Sequence, residues 1–185
     1  MPALAALTIM FGVALTTGCG SNPYSIGWNT AIPDTVVLYS IARPELNLPS
    51  AFNFHQRTSY KVEDPSATGA WDIAVDTRNG QIVLLPPEAL NIATGAGIAV
   101  LQGVGLEQAT EAPKDTTLYS TKEPVPVEMG NVYVIRSGRM VGLYGTYCRY
   151  YSKMEPLNID AADGTLQFRF DSNPGCNDRA LVPNG

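Results

Sequence analysis

The stretch Trp71-Asp72-Ile73-Ala74-Val75-Asp76-Thr77-Arg78-Asn79-Gly80-Gln81-Ile82-Val83-Leu84-Leu85 alternates and then turns. Trp71, Ile73 and Val75 point one way and Asp72, Ala74 and Asp76 the other, the period of a half-buried strand. Asn79-Gly80 follows. Both residues tolerate positive φ, so the pair predicts a tight hairpin. Gln81 to Leu85 is an apolar run of strand length.

The same pattern spreads outward from this hairpin. Leu166, Phe168 and Phe170 alternate with Gln167, Arg169 and Asp171, and Thr35 to Ser40 and Val132 to Arg136 are further strand-length runs. Arg139 to Ser152 reads as a longer strand carrying Tyr144, Tyr147, Tyr150 and Tyr151. Gly142 and Gly145 interrupt it, which suggests a bend or bulge. On one strand, Tyr144 and Tyr150 would share a face, and Tyr147 and Tyr151 the other. One pair would be core, and the other would line a ligand groove or a protein interface. Pro156, Asn158 and Asp163-Gly164 supply turn chemistry before the last strand. Pro87 to Ile92 and Gly105 to Ala112 each suit a helical turn or two.

Composition bounds the rest. The chain has 185 residues, 45% of them apolar, with 17 Gly and 14 Pro. That is one domain's length with enough apolar surface for a core, and too much Gly and Pro for a helical bundle. The net charge is -5, which disfavours nucleic acid as a partner because phosphates need a positive field. One His and three Cys leave almost no ligands for a zinc site. The expected fold is mostly β: a single antiparallel sheet or sandwich-like domain over residues 35–170, with short helical insertions. An extended tail over 171–185 is expected to lie on the surface, pinned by Cys176.

Leu4 to Leu15 form an apolar run with the length of a signal-peptide core, short of the ~20 residues a spanning helix needs. It ends in Leu15-Thr16-Thr17-Gly18-Cys19, which resembles the lipobox of bacterial lipoproteins. The leader carries no basic residue, and Thr16 stands where that motif usually has Leu. The resemblance implies a signal peptide over 1–18, cleavage before Cys19 and acylation of its thiol. Residues 19–34 would then form a tether to membrane lipid. Export would leave Cys148 and Cys176 as an even pair in an oxidising compartment. A bridge between them would stabilise by roughly 3–4 kcal/mol on the loop-entropy model.

Candidate chemistry is sparse. His55 is the only His and falls on the polar side of the Phe52–Phe54 alternation, a solvated residue or an iron ligand. Asp72 and Asp76 share a strand face, either as solvated carboxylates or as a cation site or acid/base pair. Met129, Met140 and Met154 are core filling or thioether ligands for haem iron. Asn158, Asp160 and Asp163 read as a turn, because no calcium-loop spacing is present.

The run Thr68-Gly69-Ala70-Trp71-Asp72-Ile73-Ala74-Val75, then Arg78-Asn79-Gly80, resembles the signature of the HmuY-like family. Asn131 to Arg136 and Gly164 to Phe170 follow in the family's order behind the lipobox-like leader. The resemblance implies a mostly β, lipid-anchored protein of the cell envelope that binds haem and is not an enzyme. The best-known members hold iron with two His or Met residues on loops between the Trp-Asp strand and the final hairpin. Met129 is the residue of that region here that could substitute, with His55 and Met140 as further iron contacts. The alternative is a structural subunit that braces a larger membrane protein complex on its extracytoplasmic face. It would act through the Tyr-rich strand and the tail. An enzyme working through Asp72 and Asp76 is a third reading.

Overall fold

The computed structural model describes Trp28 and residues 33–142 and 145–183; the leader, Cys19 and Tyr144 lie outside the described residues. Two five-stranded antiparallel sheets make the fold, and among the described residues no helix reaches seven residues. No helix of the described residues is long and apolar enough to cross a membrane.

The first sheet runs in the order β1 (Asp34–Tyr39), β12 (Thr165–Ser172), β11 (Tyr151–Asp160), β8 (Val132–Arg136) and β6 (Gly97–Leu101). The second runs β3 (Thr58–Tyr60), β2 (Ala51–Asn53), β4 (Ile73–Arg78), β5 (Gln81–Leu85) and β7 (Val125–Pro126). A separate two-stranded piece joins β9 (Met140–Val141) to β10 (Tyr147–Cys148). The β4–β5 hairpin forms as expected: Asn79 and Gly80 take φ of 52° and 74°, and Arg78 pairs with Gln81.

The sheets pack face to face. Leu38, Ile98, Tyr133, Ile135, Met154, Leu166, Phe168 and Phe170 of the first meet Phe52, Ile73, Val75, Ile82, Leu84 and Val125 of the second, with Phe54 and Val127 beside them. Phe168 and Phe170 present the apolar face of β12, as their alternation with Gln167 and Arg169 requires. Met154 is part of this core.

Each sheet is also covered on its outer face. Outside the first, Ala99, Val132 and Val134 lie under Leu106, Ala109, Ala112, Tyr119 and Leu181. Lys153 fixes that cover: its buried ammonium donates to the carbonyls of Leu106 (2.8 Å) and Ala109 (3.0 Å). Outside the second, Ala51, Trp71, Ala74, Val83 and Leu85 lie under Ile41, Tyr60, Val62, Leu90 and Ile92. Strands β5 and β8 are buried on both faces, which is why they read as unbroken apolar runs.

Several expectations need correction. Arg139 to Ser152 is not one strand. It folds back as the β9–β10 hairpin before β11 begins, because Gly145 adopts φ 73° and a side chain at Gly142 would collide with Cys148 Sγ. Tyr147 in β10 and Tyr151 in β11 therefore do not share the face of one strand. Pro156 and Asn158 lie within β11, at a bulge around exposed Leu157, and not in a turn. Asp160 closes the real turn by accepting the N–H groups of Ala162 and Asp163.

The tail is pinned by the Cys148–Cys176 disulfide, as expected, yet it is not all surface. Leu181 is fully buried, and its N–H donates to Thr110 while Ala112 donates to Arg179. The disulfide thus holds both the β9–β10 hairpin and a segment that closes the outer face of the first sheet. Replacing both cysteines by Ala should cost about 3 kcal/mol. Urea denaturation of the double variant against the oxidised protein checks this. Protease nicking should move into residues 173–183 at the same time.

Candidate functional site

The site is a cleft of about 360 Å³ at one end of the sandwich. Its walls are segments 69–72, 93–94 and 138–140, with Asn53 and Gln56. These segments flank β2, β4, β6 and β8, and a small set of bonds holds them in register. Asp72 N–H donates to Phe52 (2.9 Å), and Asn53 Nδ2 donates to the carbonyl of Ala70 (2.7 Å). Asn53 Oδ1 accepts from Gln56 N–H (2.8 Å), which folds the chain into a turn directly after β2. On the opposite wall, Arg139 N–H donates to Thr94 (3.3 Å). Arg149 clamps the same wall by donating from Nη1 to the carbonyls of Gly95 (2.6 Å) and Ser137 (2.8 Å).

Asp72 is the centre of this arrangement. It is 3% exposed. Its Oδ2 accepts from Phe54 N–H at 2.9 Å, and the carboxylate also accepts from Gly138 N–H. One side chain therefore ties the post-β2 turn to the β8–β9 loop. Burial pushes its carboxyl up to about 6, against the pull of those two N–H donors. Trp71, beside it, is 2% exposed, and its Nε1–H has no acceptor among the described residues. A buried N–H without a partner costs on the order of 1–3 kcal/mol, so it needs a reason. Arg139 stacks over the exposed Tyr147 ring, 4.2 Å from its centroid, and Met140 completes the rim.

The candidates divide as follows. Met140 lines the cleft, and His55 sits in the turn between the cleft residues Asn53 and Gln56. His55 stacks on Tyr150 at 3.5 Å, and burial holds its imidazole below the usual value. Met129 is 58% exposed in the turn between β7 and β8 and is not among the cleft residues. Tyr151 packs on the outer cluster of the first sheet. Asp72 and Asp76 are not the solvated pair expected from alternation, since both are buried. Their partners also differ: Asp76 accepts from Ser40 Oγ, Thr77 N–H and Arg78 Nε. Among the described residues no group of three or more His, Cys, Asp or Glu is placed to hold a metal.

The unpaired Trp71 N–H and the clasp made by Asp72 were missed in the sequence. The residues were legible there, but their surroundings come from Phe54 and Gly138, far along the chain. No family model matches this chain, and no curated protein or solved structure is significantly similar to it.

The raised Asp72 value makes stability depend on pH. The folded protein keeps this proton at pH values where the unfolded chain has released it. The stabilisation is therefore present below the ordinary value of 3.8 and lost as pH rises to about 6. Asp72→Asn should remove that slope, leaving a stability flatter with pH than the wild type between these limits. Urea denaturation at a series of pH values reads it directly.

Proposed function

We propose that this is a non-enzymatic, lipid-anchored binding protein of the bacterial cell envelope, and that the Trp71–Asp72 cleft is its ligand seat. The observation that carries the binding reading is the cleft itself. It gathers Asp72, Arg139 and Met140 at a place where segments flanking several strands are bonded together in advance. Preformed concave sites with a few convergent polar groups are where small ligands bind.

The envelope location is supported by two features. The leader ends in a lipobox-like Cys19, and the disulfide Cys148–Cys176 suits an oxidising compartment. Haem is the ligand that the family resemblance implies, and the Met140 thioether on the rim is the observation that favours it. A second reading, a structural subunit of a membrane complex, is favoured by Val141 and Tyr147. They pair across the β9–β10 hairpin and are 75% and 59% exposed.

Fractionation of cells expressing the full chain tests the anchor. The wild type should sediment with membranes as an acylated chain starting at Cys19, and Cys19→Ala should not. A chain with an intact leader and free thiol in the cytosol would end the proposal. Haemin titration tests the ligand: a saturable Soret shift lost in Met140→Ala assigns haem to the cleft.

A further inference from the structure

We infer that Arg136 and Arg149 form a second binding site, for the phosphate group of a small molecule, at the outer face of the first sheet. It is separate from the cleft, whose lining includes neither residue.

The first observation is which arginines lack a counter-ion. Arg43, Arg57, Arg78, Arg169 and Arg179 each pair with a carboxylate. Arg136, Arg139 and Arg149 pair with none among the described residues, in a chain whose net charge is -5. Stacking on Tyr147 accounts for Arg139. The other two have no such explanation.

The second observation is burial. Arg136 is 8% exposed and follows Val132 and Val134 on the outer face of the sheet. Its guanidinium lies over the Tyr119 ring, 4.7 Å from the centroid, and its side chain makes no hydrogen bond among the described residues. Nε is fully enclosed, but the two Nη groups are not, so the fork that grips an oxyanion stays reachable. A guanidinium held this far from water without an anion is costly.

The third observation is proximity. Arg149 spends Nη1 on the carbonyls of Gly95 and Ser137, which fixes the group and leaves Nη2 and Nε without acceptors among the described residues. A Cβ on Gly95 would stand only 3.0 Å from Nη2, so glycine there lets the guanidinium lie against the chain. Ser137 follows Arg136 directly, so this anchor brings the two positive groups together. Burial, and then the charge of Arg136, holds the Arg149 guanidinium below its ordinary value. Tyr151 stands opposite Arg136 in the β8–β11 register and leaves the same face, where its hydroxyl can donate to the same occupant.

Charge selects the ligand class. A phosphate monoester carries about -1.5 to -2 at neutral pH and offers three acceptor oxygens, so one group offsets both guanidinium charges. A single carboxylate leaves one of them uncompensated.

Calorimetric titration of the detergent-solubilised full chain, disulfide intact, tests the site with inorganic phosphate, glycerol 3-phosphate, acetate and succinate. Inorganic phosphate or glycerol 3-phosphate should bind saturably and more tightly than either carboxylate, and the tighter of the two tells free anion from ester. Arg136→Gln should weaken that probe about tenfold, the loss of a charge-assisted hydrogen bond. Arg136→Lys should weaken it too, because a point charge lacks the fork. Arg169→Gln, which removes an arginine already paired with carboxylates, should leave it unchanged.

A measurement on the unaltered protein stands beside the variants. In the ¹⁵N-labelled wild type, the tighter phosphate probe should shift the Arg136 Nε–H resonance saturably. Equal or tighter binding of acetate or succinate overturns the phosphate assignment. Undiminished binding to Arg136→Gln, or no heat and no Nε–H shift with either phosphate probe, overturns the site.

Discussion

The two sheets are held together by four phenylalanines. Phe52 and Phe54 leave one sheet and Phe168 and Phe170 the other, and their ring centroids lie 5.0–6.2 Å apart, mostly edge to face. Such contacts add to the area the rings bury. They also fix the turn after β2, because Phe54 can only reach this cluster if the chain folds immediately behind it. That turn carries Asn53, His55 and Gln56, and the N–H of Phe54 is the donor that Asp72 accepts. The cleft is thus a by-product of how the core is closed. Asp72 at its centre is held from behind through Phe54, which is the support a binding site needs to keep its geometry.

Burial on both faces of each sheet explains the electrostatics. Asp72, Asp76 and Lys153 would face water if the sheets had one wet side. Loops and the tail cover those sides, so each charge needs local partners. Asp76 finds Arg78 and Ser40, and Lys153 finds two carbonyls. Asp72 finds only N–H groups and no cation, and its carboxyl rises as a result.

Much of the fold was legible in the sequence because it is local. The bounds of β5 and β8, the Asn79-Gly80 hairpin and the inward face of β12 follow from run length, turn chemistry and parity. The failures share one cause. Alternation reports that two faces differ, but not what will cover the polar one, so Asp72 and Asp76 looked solvated. The Tyr-rich segment misled for a related reason. Its aromatic content is strand-like, while Gly142 and the pairing of Cys148 with Cys176 fold it back on itself. For the cleft, the individual residues were visible and their convergence was not, because it joins loops from four strands.

In the first sheet, β1 pairs with β12: Asp34 lies opposite Phe170 and Tyr39 opposite Thr165. Among the described strands, β12 alone joins β1 to the rest of that sheet. A nascent chain lacking β12 therefore leaves β1 without its strand partner, and lacks Phe168 and Phe170, half of the aromatic cluster, as well. Assembly of this sheet has to wait for residues 165–172 to emerge, since contacts this distant in sequence are the slow ones to form. Until then the sheet lies open at this edge, and the arrival of β12 joins β1 to β11 in one step.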